Sequence, residues 1–269
     1  MKRLTSILLF AALTVSALAA HLRVASLNCY LLFDPAMVHS GQVATENPLS
    51  PDDYRAKINN LAHLAAGCDI IGLQETGGVQ EVMDLATAMG YRWAFTKGRD
   101  TYTGEEVGLL YRPRPGWRYA VDGRVGELDR LVSKHLLVTV TGEGRRIRFL
   151  VVHLLRPIGN NTAKQAAQIA AINDWAKRQA QETGTTIVVL GDTNSGGRAP
   201  IFTFGQELNV LTDYRATHLT GRPFDRLAAS PDGRWSQASI TAPPYGQKPN
   251  GRLKHLWTDH FLLAGTLDY

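Results

Sequence analysis

Cysteine is scarce in this sequence, with two in 269 residues, at positions 29 and 68. That excludes a fold stapled by several disulfides, and with no His-x₃-His pair present it also excludes the usual zinc ligand sets. Beyond the first twenty residues no apolar run approaches the ~20 needed to cross a bilayer. Neither sign of charge dominates, with 29 Lys+Arg against 24 Asp+Glu and a formal charge of +5. Internal repeats and low-complexity tracts are missing, and no linker divides the chain. What remains is ordinary globular composition, 44% hydrophobic and 20% charged, with 25 Gly and 12 Pro to make loops.

The N-terminus reads differently from the rest. Lys2 and Arg3 precede an apolar stretch over 4–18, and Ala17-Leu18-Ala19-Ala20 then offers small residues at alternating positions. This is the pattern of a secretory signal cleaved near Ala20. It leaves a single domain over 21–269, a monomer without a membrane anchor, periplasmic or secreted. Without Lys2 and Arg3 the balance is 27 basic against 24 acidic residues, so local clusters matter more than net charge.

Strands alternate with helices along the mature chain. Strands are expected over 22–30, 69–74, 107–111 and 186–190, and a hairpin pair over 135–140 and 146–152 around Thr141-Gly-Glu-Gly144. Helices are expected over 51–66, 78–89 and 163–180, the first opened by Ser50-Pro51-Asp52-Asp53 and keeping Ile58, Leu61, Ala62 and Ala65 at helical spacing. Further strand candidates lie near 224–227 and 261–267. The fold class is α/β, one domain of two sheets with helices outside. If 22–30 and 69–74 run parallel, Cys29 and Cys68 stand roughly 20 Å apart at ~3.3 Å per residue, too far for the ~7 Å limit of a disulfide. Two free, buried thiols are expected.

Several of these strands end in a group that binds metal or moves protons: Asn28, Glu75, His153, Asp192 with Asn194, Asp225, and Asp259-His260. One apolar strand ending in Asp or Asn usually caps a turn. Six such ends, carrying two His, four carboxylates and two Asn, instead describe a hard-cation site with proton-transfer groups.

The ordered series Leu27-Asn28, Leu73-Gln74-Glu75, Val152-His153, Gly191-Asp192-Thr193-Asn194, Asp225-Arg226-Leu227 and Thr258-Asp259-His260 resembles the endonuclease/exonuclease/phosphatase superfamily, over about 22–267. Gly98-Arg99-Asp100-Thr101-Tyr102, followed by Glu105 and Leu109-Leu110-Tyr111-Arg112-Pro113, is similar to a loop and strand of pancreatic-type deoxyribonuclease, with one extra residue between Tyr102 and Glu105. Phe224-Asp225-Arg226-Leu227 is similar to that enzyme's Tyr-Asp-Arg-Ile strand. The resemblance implies a four-layer α/β/β/α sandwich and hydrolysis of phosphodiesters by in-line water attack. It implies that Glu75, Asp259 and the amide oxygen of Asn28 hold Mg²⁺, with Mn²⁺ or Ca²⁺ as alternatives. It pairs Glu105 with His153 and Asp225 with His260, makes Asp192 the activator of water with His260 as the alternative base, and gives Asn194 to a phosphate oxygen. Tyr102 would enter a DNA groove, and Arg130 would meet a phosphate ahead of Arg99, Arg112 and Arg156. Arg145, Arg146 and Arg148 read more simply as solvated charge.

The segment 235–257, with Trp235, Tyr245, Lys248, Arg252, Lys254 and Trp257, interleaves aromatic and basic residues, as a nucleic-acid grip or a plain surface loop would. Three functions follow: a metal-dependent endonuclease acting on DNA, with RNA as a further substrate; a lipid or small-molecule phosphoesterase of the same superfamily, sphingomyelinase-like or a sugar-phosphate phosphatase; and an inactive binding module, which should have lost a carboxylate or imidazole that this chain keeps.

Overall fold

A computed structural model describes residues 21–39, 41–43, 48–100, 102–208, 216–244 and 251–269, the last group without the side chains of 251–253. The expected signal segment, together with Thr101, Tyr245, Lys248 and the Arg252 side chain, lies outside the described residues.

Two six-stranded mixed sheets form the body. The first has the order β11(Arg234–Thr241), β12(Leu262–Asp268), β1(His21–Leu32), β2(Ile70–Thr76), β4(Glu106–Tyr111), β3(Arg92–Phe95). The second runs β5(Arg118–Gly123), β6(His135–Gly142), β7(Arg145–His153), β8(Thr185–Asp192), β10(Asp225–Ala229), β9(Gln206–Glu207). Each sheet is centred on one parallel pair, β1–β2 and β7–β8, with antiparallel neighbours.

Alternation along the strands decides which residues meet between the sheets. Val24, Ile70, Val107 and Leu109 from one sheet pack on Val138, Phe149, Val151, Val188, Leu190 and Leu227 from the other. The opposite faces are apolar too, because helices cover them. Helices α1(Pro51–Leu64) and α2(Val79–Met89) bury Tyr54, Ile58, Leu61, Val82 and Leu85 on Ala25, Leu27, Ile71 and Leu73. Helix α3(Asn161–Gln179) buries Ile172, Trp175 and Ala176 on Leu150, Val152, Ile187 and Val189. A short α4(Gly251–Leu256) completes the described helices. Double coverage is why β8 is buried at every position. The architecture is the expected α/β/β/α.

The local signals behave as read. Ser50 caps α1, its side chain accepting from the Asp53 N–H at 3.1 Å, with Pro51 in the first turn. The β1–β2 register places Asn28 beside Gln74 while Cys68 precedes the other end of the pair, and both thiols are free and buried.

Candidate active site

The inner apolar rows of four strands each end in a polar residue. Val24 and Ser26 lead to Asn28, Phe149 and Val151 to His153, Val188 and Leu190 to Asp192, and Ala229 and Leu227 back to Asp225. Ladder pairing then sets His153 beside Asp192 and Asp192 beside Asp225. Residues paired across a ladder share a face, so three adjacent strands present these groups in one row at the end of the gap between sheets.

Glu75 follows Gln74, so strict alternation would send it to the outer face. A break in register on both sides of β2 and a left-handed backbone at Glu75, φ 57°, turn it inward. Tyr30, Leu31 and Asn194 also have positive φ, so four of the six such non-glycine residues among the described ones stand at this end of the sandwich. Side chains hold these turns. The Asn28 Oδ1 accepts from the Tyr30 N–H at 2.9 Å, the Glu75 Oε2 from the Leu31 N–H at 3.2 Å, and the buried Lys57 donates to the Tyr30 carbonyl.

A cavity of about 780 Å³ opens there, lined by Glu75, Glu105, Lys134, His153, Asp192, Asn194, Asp259 and His260, with Arg99, Tyr102, Arg156 and Ile158 among its walls. The Asp192 Oδ2 gathers several of these groups. The Asn28 Nδ2 donates to it at 3.0 Å, and the His260 and His153 Nε2 atoms stand 3.6 and 3.7 Å away. The His153 Nε2 is also 4.0 Å from Glu75 Oε1. The His260 Nδ1 bonds Asp225 Oδ2 at 2.7 Å.

Three expected contacts need correction. Asn28 does not turn its amide oxygen to an ion: that oxygen is taken by Tyr30, and the amide nitrogen clasps Glu75 Oε1 at 2.9 Å and Asp192 Oδ2 at 3.0 Å. Glu105 does not hydrogen-bond His153; the gap is 3.9 Å, because Lys134 claims Glu105 Oε2 at 2.8 Å and the His153 Nδ1 stays buried with no partner. Arg130 is exposed and is not among the cavity-lining residues, whereas Arg99 and Arg156 are. Arg112 sits at another, more polar pocket and pairs with Asp69. Asn194 reaches the cavity, but its amide N–H donates to the Leu154 carbonyl at 3.0 Å. Tyr102 lies at the rim, 68% exposed, as a group that reaches toward substrate must. Trp235 is in the core between the sheets, so it does not stack on a nucleic acid.

Two site residues escaped the sequence reading. Lys134 is buried and gathers Glu105, Asp100 Oδ2 at 3.2 Å and Thr103 Oγ1 at 3.1 Å, tying the Tyr102 loop to the floor. His218 contacts Asp259 Oδ2 at 3.3 Å.

Burial and crowding set the charges. Burial, with Glu105 and Asp259 adding repulsion, pushes Glu75 up to about 8. Asp192 is raised, by burial first and then by Asp225. Burial disfavours a charged His260, but Asp225 and Asp192 outweigh it and lift the ring to about 10. His153 goes the other way: burial, then the Lys134 and His260 cations, hold it well below the usual imidazole value. Asp259 is also buried, yet the His218 hydrogen bond and the His260 charge hold it below the usual carboxylate range.

These shifts give a stability prediction. Glu75 and His260 hold their protons more tightly folded than unfolded, near 8 against 4.5 and near 10 against 6.5. The stability each contributes is complete below the unfolded value and is lost as pH climbs through the folded one. His153 acts in the opposite sense only below 6.5, and the buried Lys57, lowered to about 8, only above 8. Thermal melts in EDTA should therefore fall from pH 7 to pH 8, and a rising melting temperature contradicts this charge assignment.

Carboxylates gathered in this way fit a bound cation. The Asp259 Oδ1 is buried without a partner, and ligand atoms of Glu75, His153 and Asp192 lie within 4.8 Å of one another, as do those of His218, Asp259 and His260.

The sequence profile of the Endonuclease/Exonuclease/phosphatase family matches residues 25–267. The chain belongs to that family. Its members hydrolyse phosphodiester or phosphate-ester bonds. The search of curated proteins finds no match. Among solved structures, a humanized D. rerio TDP2 aligns with a TM-score of 0.64 at 14% identity, over 93% of this chain and 99% of that one. The human Nocturnin catalytic domain with bound sulfate gives 0.64 at 16%, over 92% and 94%. A family protein from Bacteroides thetaiotaomicron gives 0.56 at 14%, over 92% and 98%. At such identities these likenesses establish the fold.

Proposed function

We propose that this family member is an exported, divalent-metal-dependent endonuclease that hydrolyses DNA, and RNA as well, with little sequence preference. The observation that carries the reading is the meeting of Glu75, Asp192, Asp259, His153 and the Asp225-linked His260 at one cavity. Cationic Arg99 and Arg156 and the exposed Tyr102 on its walls suit a phosphate backbone and a base face. Export rests on the N-terminal pattern alone.

Glu75 and Asp259 would hold Mg²⁺ or Mn²⁺ through oxygen, the donor type those ions prefer. Bound there, the ion supplies Lewis-acid polarisation of a phosphoryl oxygen. His260, kept charged by Asp225, donates to the phosphoryl or leaving oxygen. Asp192 and the neutral His153, 3.7 Å apart, form the acceptor pair that takes the proton from the attacking water. Asn28 keeps Glu75 and Asp192 together despite their like charge.

Purified mature protein should convert supercoiled plasmid to nicked and linear forms in Mg²⁺. EDTA should abolish the cleavage and excess Mg²⁺ restore it. A folded protein that leaves the plasmid intact in both Mg²⁺ and Mn²⁺ contradicts the proposal. The exposed Ile158, which lines the cavity as Tyr102 does, favours, as the second reading, a phosphoesterase acting on a lipid or another small substrate with an apolar group. Sphingomyelin vesicles and sugar phosphates assayed in parallel separate the two.

A further inference from the structure

We propose that His218 is a positioning residue, holding the Asp259 carboxylate so that one oxygen stays free for the divalent ion. The inference rests on the reading of Asp259 as a metal ligand. His218 lies outside the named strands, yet its backbone is fixed against the segment it serves. It forms an isolated antiparallel bridge with His260, flanked by Leu219 N–H to Asp259 O at 3.0 Å and Phe261 N–H to Thr217 O at 2.7 Å. The ring packs edge-on against His260 at 4.7 Å and against Phe224 at 5.0 Å, which leaves it little freedom.

The ring's hydrogen bonds determine its tautomer. The Thr220 backbone N–H can only donate, and it points at the His218 Nδ1 at 3.0 Å. Thr220 Oγ1 stands 2.7 Å from the same nitrogen, and its hydroxyl can donate there as well; the Asp259 carboxylate can only accept, so Nε2 carries a hydrogen. That hydrogen faces the Asp259 Oδ2 at 3.3 Å. The other oxygen, Oδ1, is buried and accepts no hydrogen bond, with the His260 Nε2 4.0 Å away. The carboxylate is thus split into a tethered oxygen and a free one. An imidazole that spends its Nε2 hydrogen on a carboxylate is placed to orient a ligand. To become a ligand itself through Nε2 it would have to move that hydrogen to Nδ1, exchanging the Thr220 N–H contact for one to Thr220 Oγ1. Removing a hydrogen bond to a metal ligand typically costs 10–100-fold in metal affinity, without touching the ion.

The test is Mn²⁺ binding by calorimetry, with no substrate present. His218→Ala should weaken binding by about 10-fold or more. His218→Gln, whose amide N–H falls near the position of Nε2, should stay within a few-fold of wild type. Equal Mn²⁺ affinity in wild type and His218→Ala overturns the inference and leaves the metal reading standing; failure of wild type to bind Mn²⁺ removes both. If His218→Gln binds as weakly as His218→Ala, the imidazole is itself a ligand and positioning is wrong. A measurement independent of any variant is the ¹⁵N spectrum of the labelled histidines: His218 should show the Nε2–H tautomer, and the Nδ1–H form overturns the inference.

Discussion

His260→Ala is expected to lower turnover on plasmid DNA by about 10²–10⁴-fold, the span typical of an acid–base group. The size follows from what the ring does alone. Its Nδ1 is locked to Asp225 at 2.7 Å, its Nε2 faces Asp192 at 3.6 Å, and together those carboxylates lift it to about 10. No other cavity-lining imidazole is held charged near neutral pH, since burial and the Lys134, His260 and Arg156 cations keep His153 neutral. Circular dichroism and Mn²⁺ affinity should change little, because the backbone there is fixed by the bridge to His218 and the ring is not one of the proposed metal carboxylates. His153→Ala should act in the same direction by about 10²-fold. Near wild-type turnover in either variant would mean the imidazoles carry no proton in the reaction.

Gly191→Ala is expected to cost more than about 2 kcal/mol of stability and to lower the melting temperature by roughly 5 °C or more. Gly191 has φ +146°, and a Cβ there would lie 1.9 Å from the Val152 carbonyl oxygen. The obstacle is the backbone of the neighbouring parallel strand, which cannot rotate away as a side chain can. Relief would push β7 from β8 at the one place where their register sets His153 against Asp192. Activity should therefore fall even at temperatures where the variant stays folded. A variant with unchanged melting and rate would show that this close approach is dispensable.

The central strands and helices were legible because they are constrained on both sides. Strands β1, β2, β7 and β8 sit between a helix layer and the opposite sheet, and their apolar runs declare it. The strands that escaped were β3, β5, β9 and β11, and these are the four sheet edges. An edge strand pairs on one side only and keeps polar, exposed positions, as β5 does along most of its length. The site divides similarly. Residues at the ends of buried strands could be read from the strand pattern. Lys134 and His218 could not, because their roles depend on loops folding back: the 100–105 loop reaching Lys134, and 217–220 laid along Asp259. The same omission explains why Glu105 and His153 stand 3.9 Å apart rather than within hydrogen-bond reach, since a lysine the sequence did not point to donates to the carboxylate. For Asn28, only its turn shows which end of the amide Tyr30 uses and which end faces Glu75 and Asp192.

The order of assembly follows from how the sheets are strung. Strand β12 inserts beside β1, pairing the latest-made part of the sandwich with its first strand. Asp259 and His260 lie immediately before β12, while Asn28 lies in β1. A growing polypeptide therefore carries most of the machinery in place but not its last acid and its charged ring until the ribosome has passed position 260. Docking of β12 on β1 is thus the step that closes the sandwich and completes the cavity together.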